Sequence, residues 1–167
     1  LAQEVDPAIE GPKIIAEAFG RLSGALGEAI GKNGAAGALS VCSEKAPQIA
    51  NEIALAHGVT LRRATHKPRN PKNAPDEVEK AALEAFLAAV AKKEAPKPQV
   101  ITNADGSRAF LAPIVLGNPL CLQCHGMAEK DIAPETLAAI QKIYPDDKAT
   151  GFQLGDLRGL WRVTFQP

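Results

Sequence analysis

A chain of 167 residues is long enough for one domain that buries a core and a bulky prosthetic group. Its 19 Lys and Arg balance 19 Asp and Glu, so it lacks the net basic field of a nucleic-acid binder. Its apolar runs are short and broken by Gly, Pro or charge, so no membrane span is expected.

In chain order the pattern is α+β. From about Pro12 to Ile30, Ile15, Ala18, Phe19, Leu22, Leu26 and Ile30 recur at helical spacing. Gly31 and Lys32-Asn33-Gly34 are expected to stop that helix. A second helix is expected over 38–57, with Leu39, Cys42, Ala46, Ile49 and Ile53 near one face and Gly58 as C-cap. Val59 to His66 alternates as a strand. Residues 67–75 form a proline-fixed loop, and Asp76 caps a third helix over 77–93. Strands 99–102 and 108–115 make a hairpin around Asn103-Ala104-Asp105-Gly106. A short helix is expected over 134–143, a loop over 151–159, and a last strand over 160–165, where Trp161, Val163 and Phe165 alternate. The organisation expected is a single domain, 1–167. Helices fill 1–58, and the sheet, a connecting helix and the motif segment fill 59–167.

That motif segment is Cys121-Leu122-Gln123-Cys124-His125, a Cys-x-x-Cys-His pattern that reads as a site of covalent haem c attachment. Two thiols at this spacing can add across the two vinyl groups of one porphyrin. The adjoining His125 is then held beneath the iron as an axial donor. A dithiol redox centre would want a surrounding βαβ pattern, and a structural zinc site would want four ligands. The only further cysteine is Cys42, so a disulfide framework is not expected either.

The second axial ligand has as candidates Cys42, His57, His66, Met127 or none. Met127 lies two residues from His125 and cannot easily swing to the far face, which removes the chain's one methionine. His57 reads as a helix-end residue facing water. His66 precedes Lys67-Pro68 in an extended stretch. Cys42, on an apolar helix face, reads equally as a small buried hydrophobe or as a thiolate ligand. Fifteen residues of helix place it about 22 Å from His57, so both cannot reach one iron. Arg63 and Arg69 suit carboxylates such as haem propionates, or else surface charge and loop fixing. Asn70 and Tyr144 are further candidate pocket contacts, and Arg158 is read as loop-fixing.

Several stretches, in order, resemble the PAS-like haem c domains of a cyanobacterial photosystem-associated protein and of bacterial sensory modules. They are Val41-Cys42, Leu61-Arg62-Arg63, Pro68-Arg69-Asn70-Pro71-Lys72-Asn73-Ala74-Pro75, Cys121 to Gly126, Tyr144-Pro145-Asp146 and Gly155-Asp156-Leu157-Arg158-Gly159. The resemblance implies a central antiparallel sheet flanked by N-terminal and connecting helices. It also implies one covalent haem c, with His125 and Cys42 as the two iron ligands.

Function is argued from that site. Imidazole and thiolate together favour a low-potential ferric centre, hence electron transfer or redox sensing with a redox or signalling partner protein. The alternatives are a CO or NO sensor in which Cys42 is displaced, or a haem enzyme with an open iron site. A four-helix cytochrome is disfavoured by the hairpin and the terminal strand. The expected address is periplasmic or otherwise extracytoplasmic, because haem c is usually attached outside the bacterial cytoplasm. The chain starts at Leu1 with neither an initiator Met nor a leader pattern, as though a signal peptide had been removed.

Overall fold

In the computed structural model, which describes residues 3–167, Asp6 opens the first helix. Its carboxylate accepts from the Ala8 amide at 2.9 Å, and Pro7 takes the first helical position. The helix, α1, spans Pro7–Ser40 and so passes the expected stop at Gly31. Gly34 adopts φ 70° and ψ 176°, a conformation open to glycine, and kinks the helix without ending it. Helical geometry resumes because Ala38 and Leu39 beyond the kink are buried.

The expected helix 38–57 is interrupted. A π-helical turn, Val41–Lys45, joins α1 to α2, Ala46–His57. Gly58 caps α2 at φ 64°, as its position suggested. Strand β1, Val59–Ala64, stops two residues short of the expected end, because the Thr65 amide turns to the Asn73 carbonyl at 2.9 Å. The proline loop holds a short 3-10 turn, Pro71–Asn73, in which the Asn70 side chain accepts from the Lys72 amide. Asp76 and Glu79 form a reciprocal capping box on α3, Glu77–Ala91.

β2, Gln99–Thr102, and β3, Arg108–Val115, coincide with the expected hairpin. A 3-10 turn, Pro119–Cys121, leads into the four-residue α4, Leu122–His125. Then come α5, Pro134–Ile143, and β4, Leu157–Phe165. β4 begins three residues before the expected 160, since Leu157 and Gly159 already pair with Val115 and Ile114 across a bulge. A Cβ on Gly159 would stand 2.5 Å from the Ala64 carbonyl oxygen, so glycine is needed where β1 and β4 close together.

The four strands form one antiparallel sheet in the order β1-β4-β3-β2. Alternation along the strands divides the core. Trp161, Val163 and Phe165 join Leu61 and Phe110 beneath Ile14 and Ala18 of α1 and Ile53 of α2. Leu160, Leu111, Ala109 and Ala64 face Ala82, Leu83 and Phe86 of α3 on the other side. This is the expected α+β architecture, a central antiparallel sheet with helices on both faces. Among the described residues no helix is long and apolar enough to cross a membrane.

Candidate functional site

At the kinked end of α1 the helices do not close onto the sheet. A cavity of about 200 Å³ remains there. Leu22, Leu26 and Ile30 of α1 supply one aliphatic wall, four residues apart on one helical face. Cys42 enters from the π-turn, a geometry that is frequent at functional sites. Cys121, Cys124 and His125 enter from the 3-10 turn and α4. Arg63, Arg69, Asn70, Tyr144 and Arg158 are among the other residues that line it. Residues distant in sequence, each singled out above as candidates, thus share one void. His57, His66 and Met127 do not line it. His57 pairs with Glu17 at 2.7 Å, and Met127 is exposed.

His125 is held by its surroundings. Its Nδ1 lies 2.8 Å from the Ala149 carbonyl, which can only accept, so Nδ1 carries the proton and Nε2 keeps its lone pair. The Phe152 amide donates to the His125 carbonyl at 2.9 Å, and the Phe152 ring meets the imidazole edge-on. Burial, then the charges of Arg158 and Arg69, push the imidazole pKa down to about 3, so the ring is neutral. Burial raises the Cys42 thiol, while Arg63, Arg69 and Arg158 pull it back. Burial also raises Cys124 and the Tyr144 phenol.

The arginines differ in their commitments. Arg158 donates to Thr65 Oγ1 at 2.9 Å and to the Lys67 carbonyl at 3.2 Å, the loop-fixing role expected of it. Burial, with Arg69 and Arg63 nearby, lowers it to about 10, so it stays cationic. Arg69 already has a carboxylate partner, Asp147, at 2.8 Å. Of the readings weighed from sequence, propionate pairing or surface charge and loop fixing, this ion pair fits loop fixing. Arg63 stands 5.5 Å over the Trp161 ring, and among the described residues no carboxylate lies within ion-pair distance of it. The sequence did not point to Asp147 or to the Ala149 carbonyl. A backbone acceptor leaves no signature in residue type.

The donor set suits a flat, apolar, acid-bearing group. Among the described residues no three of His, Cys, Asp and Glu converge tightly enough to hold a bare metal ion. Thiols and imidazole instead surround an aliphatic void that has an unpaired guanidinium on its lining.

Fold and site together define a class: a helix-flanked, four-stranded antiparallel domain that gathers a Cys-x-x-Cys-His turn and a distant helical cysteine around one apolar cavity. The model of the Tll0287-like family, described as Tll0287, matches residues 2–166, and the chain belongs to that family. Among solved structures it is similar to the cyanobacterial heme-protein Tll0287, with 29% identity and a TM-score of 0.67 over 97% of each chain. No curated protein matches it.

Proposed function

We propose that the protein is a c-type cytochrome acting in low-potential electron transfer or redox sensing, in an extracytoplasmic compartment. The observation that carries this reading is the convergence of Cys42, Cys121, Cys124 and His125 on one apolar cavity. The likeness to Tll0287, itself described as a heme-protein, supports it. Cys121 and Cys124 would hold one haem through thioethers, and His125 Nε2 and the Cys42 thiolate would donate to its iron. Bound there, haem supplies a one-electron Fe(III)/Fe(II) couple. Cys42, as an anionic donor, favours the ferric state and lowers the potential. Arg63, Arg69 and Arg158 stabilise the thiolate against the burial that opposes it. Arg63 is placed to take a propionate, with Asn70 and Tyr144 beside it on the lining. Were Cys42 and His125 both to donate to the iron, they would compete with any substrate there, so a redox or signalling partner protein is the expected counterpart.

Electron paramagnetic resonance of the ferric protein beside Cys42→Ala tests this. A low-spin signal of narrow anisotropy that is lost in the variant is the expected result. A high-spin wild type, or a signal unchanged by the substitution, overturns Cys42 as ligand. Covalent attachment is read separately, as haem retained through denaturing electrophoresis and lost in Cys121→Ala/Cys124→Ala.

A gas-sensing reading is favoured by one observation: Cys42 rides on a π-turn beyond the Gly34 kink, two departures from regular α-helix in one segment. CO uptake by the reduced protein, with the Cys42 thiol becoming open to alkylation, would support it. A reduced spectrum indifferent to CO rejects it.

A further inference from the structure

Ala149 offers one carbonyl oxygen to two donors. His125 Nδ1 reaches it at 2.8 Å and Arg69 Nη2 at 3.1 Å. The same guanidinium donates through Nε to Asp147 Oδ1 at 2.8 Å, and through Nη2 to the Cys124 carbonyl at 2.6 Å and to Asp147 Oδ2 at 3.4 Å. Arg69 is buried and the Asp147 side chain nearly so, at 8% and 9% exposed. Asp147 Oδ1 also accepts from the Ala149 amide at 3.1 Å, and the Lys148 amide donates to the Pro68 carbonyl at the same distance. One planar fork therefore ties together the proline loop, the attachment turn and the loop that presents Ala149.

We propose that Arg69, backed by Asp147, is a positioning residue for His125: it fixes the carbonyl to which the imidazole donates and limits how strongly that carbonyl accepts. The inference rests on the reading above, in which His125 is an iron ligand. A carbonyl oxygen has two lone pairs, and a charged donor on one of them draws density from the other. The Nδ1–H bond is then weaker than to a free carbonyl, and the imidazole is a poorer electron donor. Outer partners of a ligating histidine set its orientation and basicity in this way. Arg69 thus holds the ring in place and keeps the potential from falling further.

Two variants separate this from a plain charge effect. Arg69→Lys keeps the charge, but an ammonium cannot span Asp147 and two carbonyls as a planar fork does. Arg69→Met/Asp147→Asn removes one charge of each sign, so the net charge is unchanged. In the haem-loaded proteins both should lower the potential, by a shift equivalent to about tenfold in the ferric-to-ferrous ratio, about 59 mV for one electron. Both should also slow solvent exchange of the His125 Nδ1 proton relative to the parent, because its bond to the Ala149 carbonyl strengthens, followed by proton magnetic resonance of the ferric form. Wild-type potential and exchange in either variant overturn the proposal. Should the variants not fold, the wild type still decides. Its Nδ1 proton must exchange slowly with solvent, and fast exchange overturns the proposal as well. Failure of the wild type to attach haem would instead sink the functional reading, a distinct outcome.

Discussion

Arg63 carries an opposite-sign prediction. Its guanidinium lines the cavity without a carboxylate, and burial lowers its pKa. A partly buried cation left unpaired is a cost that an acidic occupant would offset. Arg63→Met should therefore leave the haem-free chain at least as stable as the parent, by about 1 kcal/mol, while destabilising the loaded protein. Urea unfolding of both forms checks this. Equal loss of stability in the two forms would show that Arg63 serves only the Trp161 contact. The residues differ in how legible they were. Cys121, Cys124 and His125 sit in one contiguous motif whose spacing is itself the chemistry. Cys42 was ambiguous because an apolar helix face suits a buried thiol and a ligand alike. Arg69 could be seen as a cation, but its partner Asp147 lies 78 residues away, and only the fold brings them together.

The elements show the same division. The hairpin and α3 were legible because their determinants are local: a turn sequence, and a capping box from Asp76 to Glu79. The course of α1 beyond Gly31 was not, since a glycine ends a helix or is carried within it according to what is buried further on. Gly24 and Gly27 are exposed, are not among the positive-φ glycines, and would meet nothing within 4 Å of an added Cβ. Packing does not require them, and each leaves α1 weaker by about 0.5–1 kcal/mol relative to alanine. Gly24→Ala should then raise the melting temperature by roughly 2–4 °C per kcal/mol gained, measured by circular dichroism. A fall would mean that the exposed face of α1 makes a contact the isolated chain does not show. At the start of α3, burial would raise the Asp76 carboxyl, but the Glu79 amide and the Arg162 charge outweigh it and hold its pKa below 3.8. A depressed folded value means that the contribution is present above the unfolded pKa and is lost as pH falls through the folded one. Asparagine caps as well as aspartate but does not titrate. The stability gap between wild type and Asp76→Asn should be constant near neutrality and shrink below about pH 4. The Asp76 side chain is half exposed, so the gap should stay under about 1 kcal/mol.

Across the whole molecule, packing is uneven. The α3 face of the sheet is closed by Leu83, Phe86, Leu111 and Leu160. On the other face the far part of α1, the π-turn, the proline loop and the Cys-x-x-Cys-His turn surround a void. These segments come from three separate stretches of chain, the π-turn continuing α1, so their mutual fit depends on what lies between them. An unfilled apolar void forfeits contacts, and an occupant that binds only the folded chain stabilises it by mass action. The two halves should therefore differ most when haem is withheld. In Cys121→Ala/Cys124→Ala, amides of residues 22–42 should exchange hydrogen far faster than in the loaded wild type, while those of α3, β3 and β4 keep their protection. Hydrogen-exchange mass spectrometry of the two proteins resolves the segments. Equal protection of 22–42 in both would mean that the wall bearing Leu22, Leu26, Ile30 and Cys42 is rigid before anything binds. Displacement of Cys42 would then have to proceed without moving its helix, and the gas-sensing reading would lose the mobile element on which it depends.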